Sequence, residues 1–156
     1  MARKRRDRRF TDPGGDEWDS QFEFLVYTGL QGLGYSVRRC DKSDSVAYNH
    51  GVTQGRCLEC GSAEVVQERN YTPDLYVVEP QEEATGAGYY IECKGYFPAD
   101  RRSQLRSVIQ SNPDLDLRIL FAAERKLTQA KTNIEYVHSY IKCGAGVWNN
   151  GALEWR

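Results

Sequence analysis

Asp74, Glu92 and Lys94 are the residues whose types and spacing point most directly to chemistry. The run Thr72-Pro73-Asp74 is followed, seventeen residues later, by Glu92-Cys93-Lys94. On a strand, side chains alternate faces, so Glu92 and Lys94 share one side while Cys93 points into the opposite layer. If the strand that starts near Asp74 pairs with the strand of Glu92 as a hairpin, two carboxylates converge beside one ammonium. Such carboxylates repel unless a cation lies between them. A hard divalent ion answers that need, because Mg²⁺ takes oxygen ligands, activates water and stabilises charge developing on a phosphate. Lys94 would then position the attacking water or offset that charge. A competing reading leaves Asp74 as a turn cap after Pro73 and Glu92 with Lys94 as an ordinary surface pair.

The elements that must carry these residues are legible from periodicity. Between Asp16 and Leu33, Trp18, Phe22, Leu25, Val26, Leu30 and Leu33 recur mostly at spacings of three and four, which predicts a helix with Glu23 at the edge of its apolar stripe. Gly32 and Gly34 end it, and residues 35–40 alternate as a short strand. Residues 41–63 are polar and bear glycines and cysteines, so they read as an excursion from the core. Strands follow at 65–69, 75–78 and 89–94, then a helix over Ala99–Ser111 stopped by Pro113, a strand at 117–122 and a last helix from about Thr132 to Lys142. The expected fold class is α/β, a mixed sheet flanked by helices in one domain, 13–156, behind an arm at 1–12. No apolar run approaches the roughly 20 residues of a bilayer span, and no apolar segment follows the basic N-terminus, so no membrane role is expected and a cytoplasmic setting is.

The net charge of −1 gives no global signal for a polyanionic partner. The local signal is the arm, where Arg3, Lys4, Arg5, Arg6, Arg8 and Arg9 surround one aspartate with nothing apolar to bury them. Read functionally it is a disordered phosphate-binding tail; otherwise it is a solubilising terminus. Arg101, Arg102 and Arg106 follow the Glu92-Cys93-Lys94 turn on a helix, where they could hold backbone phosphates or be plain solvated charges. Five cysteines include the knuckle Cys57-Leu58-Glu59-Cys60-Gly61, whose spacing suits two thiolates on a structural Zn²⁺. Cys40 and His50 are the upstream candidates for its remaining ligands, or an intertwined dimer could bring two knuckles together. Cys93 and Cys143 read as small core residues and His138 as a helix-surface or dimer-contact residue.

Beyond these readings, the chain resembles a known family. Tyr71-Thr72-Pro73-Asp74-Leu75, Glu92-Cys93-Lys94-Gly95, Asp100-Arg101-Arg102 and the run from Pro113 to Phe121 are similar in order and spacing to the phage endonuclease I family of four-way junction resolvases, within the PD-(D/E)xK nucleases. Ser20-Gln21-Phe22-Glu23 resembles that family's Ser-x-x-Glu on its first helix, and the likeness reaches weakly to Trp155. The resemblance implies a restriction-endonuclease-like fold, an intertwined homodimer with exchanged elements, two active sites, and Mg²⁺ or Mn²⁺ as cofactor. It implies that Glu23, Asp74 and Glu92 are the acidic metal-site residues and Lys94 the catalytic lysine, with Glu23 supplied by either subunit. From the residues alone, Glu23 is equally a solvated helix residue. The segment before Tyr71 is longer than the family type and carries the cysteine knuckle.

The function expected from this combination is metal-dependent nicking of four-way and other branched DNA. A nicking or sequence-specific enzyme of the same superfamily is the runner-up. A non-catalytic zinc-knuckle DNA-binding module is the alternative from another class.

Overall fold

The computed structural model describes residues 9–52 and 65–156. The chain begins with a small hairpin, Phe10–Thr11 (β1) against Glu17–Trp18 (β2). Its turn is closed by Asp12, whose Oδ1 accepts from the Gly14 and Asp16 amides at 2.8 and 3.0 Å and whose Oδ2 accepts from Trp18 Nε1 at 3.0 Å. This turn draws Glu17 and Trp18 out of the helix expected from Asp16. The helix, Gln21–Gly32 (α1), starts after Ser20, which has extended backbone and accepts the Glu23 amide on its hydroxyl at 3.1 Å. Trp18 keeps the buried role its place in the apolar pattern suggested, packing on Phe24 and Tyr27 of α1 at ring distances of 5.4 and 5.0 Å.

After α1 come Ser36–Arg39 (β3), a single 3₁₀ turn at Lys42–Asp44, Val46–Val52 (β4), Val65–Tyr71 (β5), Leu75–Val78 (β6) and Gly88–Lys94 (β7). The helix Ala99–Ser111 (α2) leads to Leu117–Phe121 (β8). The last helix opens as one α-helical turn, Asn133–Tyr136 (α3), and continues in π geometry through Val137–Ile141 before Gly144–Asn149 (β9) and Ala152–Trp155 (β10) close the chain. This is an α/β protein with a six-stranded mixed sheet in the order β10-β9-β8-β7-β6-β3 and two small hairpins. β3, β6 and β7 run antiparallel in sequence, β7, β8 and β9 are parallel neighbours, and β10 returns antiparallel. The two parallel connections are the crossovers through α2 and the last helix, as parallel pairing requires.

Each face of the sheet has its own core. Val26 and Leu30 of α1 pack on Leu75, Val77, Ile91, Cys93 and Leu120. On the other face, Leu105 and Val108 of α2 and Ile134, Val137 and Ile141 of the last helix cover Leu117, Ile119, Phe121, Ala145 and Val147. Alternation along β7 follows from this: Tyr89, Ile91 and Cys93 go to the α1 side, so Glu92 and Lys94 face the other way. α1 lies close on β9, since a Cβ at Gly29 would fall 2.3 Å from Trp148 Cζ2. That contact fixes where the first turn of α1, with Glu23, meets the sheet.

Three further expectations are corrected. Residues 41–63 are not simply an excursion: Val46–Val52 is strand, paired antiparallel with Val65–Tyr71 from Val46↔Tyr71 onward. For the same reason residues 65–69 belong to this separate hairpin and not to the main sheet. It docks on α2, with Gln104 Nε2 donating to Tyr48 Oη at 3.2 Å, Ser111 Oγ accepting from Asn49 N at 3.0 Å and Asn112 Nδ2 donating to the Ala47 carbonyl at 2.9 Å. Within the 1–12 stretch read as an arm, Phe10–Thr11 is strand.

Candidate active site

A cleft of about 550 Å³ opens where the first turn of α1, the β5–β6 junction, the end of β7 and the start of α2 meet. Glu23, Asp74, Glu92 and Lys94 all line it, together with Asp19, Tyr71, Tyr96 and Arg101. Asp74 gets there by register: Leu75 pairs with Ile91, and the Asp74 amide donates to the Ile91 carbonyl at 3.2 Å, which sets Asp74 beside Glu92. The hairpin pairing expected from the sequence is therefore the one that forms. Asp74 Oδ2 then accepts the Cys93 amide at 2.7 Å, which orients the carboxylate across the strand end.

Glu92 is held at both oxygens. Tyr71, buried at the end of β5, donates its hydroxyl to Oε2, and Lys94 donates its ammonium to Oε1. The lysine is paired in the resting cleft and is not solvated. Burial pulls its pKa down, but Glu92 and Asp74 more than offset this, so it lies above the ordinary lysine value and Lys94 is a cation at neutral pH.

Glu23 is 4% exposed, which removes the solvated reading of that residue. Its nearest cation is Arg39, with Nε 3.9 Å from Oε1, and the Arg39 guanidinium lies over the Trp18 ring at 4.1 Å from its centroid. Burial, then the charge of Asp19, raise the Glu23 carboxyl to about 7, against the pull of Arg39. Burial and the neighbouring Glu92 likewise hold Asp74 well above the usual carboxylate range, against the pull of Lys94. A cleft in which two carboxyls resist ionisation is short of positive charge.

Among the described residues, Asp19, Glu23 and Asp74 form a group of potential ligands, each offering one carboxylate oxygen within 4.8 Å of the others. Carboxylates gathered this closely could draw together to share one Mg²⁺, which binds several oxygen ligands and keeps some of its waters. All three donors are hard oxygens, which suits Mg²⁺ or Mn²⁺ and not a thiophilic metal. Glu92, expected as a ligand, lies beside this group with its oxygens engaged by Tyr71 and Lys94. Sequence reasoning does not single out Asp19 or Tyr71. The available signal for Asp19 is its place four residues before Glu23, one helical turn away. Tyr71 comes from a strand whose partner lies outside the main sheet, so no local pattern aims it at Glu92.

The three arginines of α2 separate. Arg101 lines the cleft and donates to Gln104 Oε1 at 2.8 Å. Arg102 stacks over Tyr136 at 5.0 Å, and Arg106 faces a groove on the other flank of the helix. Of the proposed zinc ligands, Cys57 and Cys60 lie outside the described residues, as do Arg3, Lys4, Arg5, Arg6 and Arg8 of the arm. Cys40 follows β3 next to Asp74, whose carbonyl accepts its amide at 3.0 Å, and burial raises its thiol to about 12. His50 sits on β4, its Nδ1 3.3 Å from Ser107 Oγ on α2. Arg9 lies 4.0 Å from Glu17 across the first hairpin. Cys93 is buried in the α1-side core, Cys143 packs against the other core, and His138 is exposed, as the sequence suggested. Comparison with known proteins finds no matching family model, no matching curated protein and no matching solved structure.

Proposed function

We propose that the chain is a Mg²⁺- or Mn²⁺-dependent endodeoxyribonuclease of the PD-(D/E)xK type that nicks branched DNA, four-way junctions above all. The observation that carries the hydrolytic part is the meeting of Glu23, Asp74, Glu92 and Lys94 in one cleft, from segments spread over 72 residues. Core formation alone gives no reason for three acidic side chains and a paired lysine to meet at a strand end, since burying like charges is costly. The mixed sheet with helices on both faces is compatible with the restriction-endonuclease-like fold that the resemblance implies.

A divalent ion held by Asp74 and Glu23, with Asp19 at the rim, would supply Lewis-acid stabilisation to a phosphoryl oxygen and acidity to a water. The chain's own contribution is positional. The Cys93 amide fixes Asp74, and Tyr71 fixes Glu92. Glu92 in turn holds the Lys94 ammonium at the cleft floor. Because Lys94 keeps its proton, its part is to offset charge on the phosphate and to orient the attacking water by donating from Nζ. Arg101 at the cleft wall is placed to hold a neighbouring phosphate.

Selectivity for branched DNA rests on the resemblance, which also implies a homodimer with two sites at fixed separation. The test is a labelled four-way junction beside a linear duplex of the same arms, incubated with Mg²⁺ and with EDTA. Paired nicks near the branch point that need Mg²⁺ and vanish in Asp74→Asn, with junction binding kept, are the expected result. Equal cutting of both substrates would make the protein a general nuclease of the same superfamily. Binding without cutting would replace the proposal with a non-catalytic DNA-binding module.

A further inference from the structure

A second concavity lies on the far flank of α2, a groove of about 430 Å³ between that helix and the last one. Its floor is Ile109, Pro113 and Ile141, its walls carry Arg106, Tyr140 and Lys142, and no carboxylate lines it. Among the described residues the side chains of Arg106 and Lys142 have neither an ion pair nor a hydrogen bond. That contrasts with Arg38, Arg118 and Arg156, each of which faces an aspartate or glutamate. Tyr140 is 45% exposed, leaning on Tyr136 with ring centroids 4.9 Å apart, and Lys131 Nζ stands 5.9 Å from its ring. The groove thus combines unpaired cations with an open aromatic surface, the pairing that single-stranded nucleic acid uses.

The backbone at the groove is unusual in the same place. Val137–Ile141 is π-helical, a geometry found mostly as short insertions at functional sites. Lys142 ends it at φ 66°, a left-handed conformation rare for lysine, with its amide donating to the Val137 carbonyl at 2.7 Å. Arg106 lies five residues after Arg101 on α2, about 7.5 Å along the helix axis and about 140° round it. A strand leaving the cleft across α2 therefore reaches the groove within a few nucleotides.

We propose that this groove is a second nucleic-acid site, which takes an unpaired nucleotide of the substrate, with its phosphate on Arg106 and Lys142 and its base on Tyr140. The proposal takes its ligand class from the nuclease reading but needs no catalysis, so the two can fail separately.

The test is fluorescence anisotropy of a labelled twelve-nucleotide oligothymidylate with the full chain in EDTA, where cleavage plays no part. Arg106→Gln with Lys142→Asn removes both charges, and asparagine suits the left-handed position. This pair should lower the salt slope of log affinity by about 0.7, the share of the one phosphate the two cations hold. Tyr140→Leu keeps an apolar neighbour for Tyr136 and should weaken binding about tenfold. It should also bind an abasic oligonucleotide no worse than wild type does. Unchanged melting temperatures would show that the variants fold. Wild-type affinity and slope in both variants would overturn the proposal. So would displacement of the oligonucleotide by inorganic phosphate as readily as by thymidine monophosphate, because the groove would then be an anion site only.

Discussion

In the cleft the two best-fixed carboxylates have different work. Glu92 has both oxygens occupied by protein donors, while Asp74 and Glu23 have pKa values raised by burial and then by neighbouring carboxylates, Glu92 for Asp74 and Asp19 for Glu23. Protons and a divalent cation therefore compete for the same pair. Glu23 goes from 4.5 to about 7 on folding, so its own contribution to the stability of the apo-protein is fully present below about pH 4.5 and is lost as pH rises through about 7. Mg²⁺ should reverse this, raising the melting temperature clearly at pH 8 and hardly at pH 5.5, which a pair of thermal melts with and without the ion would check. An equal rise at both pH values would mean the ion binds elsewhere. Tyr71→Phe leaves Glu92 Oε2 without its donor. Losing a hydrogen bond to a charged group, worth about 1.5–3 kcal/mol, should cut kcat/KM roughly ten- to a hundredfold. Single-turnover rates on a nicked or branched substrate would read it, and an unchanged rate would return Tyr71 to a purely structural role.

The elements that carry these residues depend on a few local contacts. In the 3₁₀ turn after β3, Asp44 is buried and receives Arg38 at both oxygens, 2.7 and 2.8 Å, and the Asp41 amide at 3.0 Å. The Arg38 hydrogen bonds lead in lowering its pKa to about 2. A depressed carboxylate contributes stability that is present above about pH 4 and lost as pH falls toward 2. Asp44→Asn should therefore cost roughly 1–3 kcal/mol at pH 7, the lower end following from the half-exposed arginine, and the deficit should shrink in acid. Urea unfolding at pH 7 and pH 3 would check it. The helices α1 and α2 and the strands β3, β6, β7 and β8 are legible in the sequence because each carries the apolar period of its class. The facing of Glu92 and Lys94 and the pairing of Asp74 with Glu92 follow from alternation and hairpin register. β4 is hidden because its apolar residues, Val46 and Tyr48, pack on α2 and not on the sheet. β9 and β10 are hidden because Gly144, Gly146 and Gly151 read as breakers. At Gly146 the reason is steric, since a Cβ there would meet the Glu154 carbonyl at 2.5 Å. Trp18 reads as helical because burial alone does not separate a helical residue from a strand residue packed on the helix end.

For the whole molecule, the charge balance of −1 is the sum of an acidic cleft and a basic run of sequence at residues 3–9. The first hairpin sets Phe10 against Phe24 of α1 at a ring distance of 5.3 Å, so Phe10 packs on the helix that carries Glu23. Deleting residues 1–9 should weaken junction binding and flatten its dependence on salt by about 0.9 for each phosphate that the arm neutralises in the intact protein. A titration across 50–200 mM salt would show it, and an unchanged slope would make the arm a solubilising terminus. The floor of the cleft has one more consequence. Cys93 shares its strand with Glu92 and Lys94, gives its amide to Asp74, and turns its thiol into the α1-side core, where burial raises its pKa well above the ordinary cysteine value. A protonated, enclosed thiol is inert to alkylating reagents until the strand opens. The protein therefore carries its own clock for opening at the site, and the alkylation rate of this one sulfur, followed by mass spectrometry, times how often β7 comes away from α1.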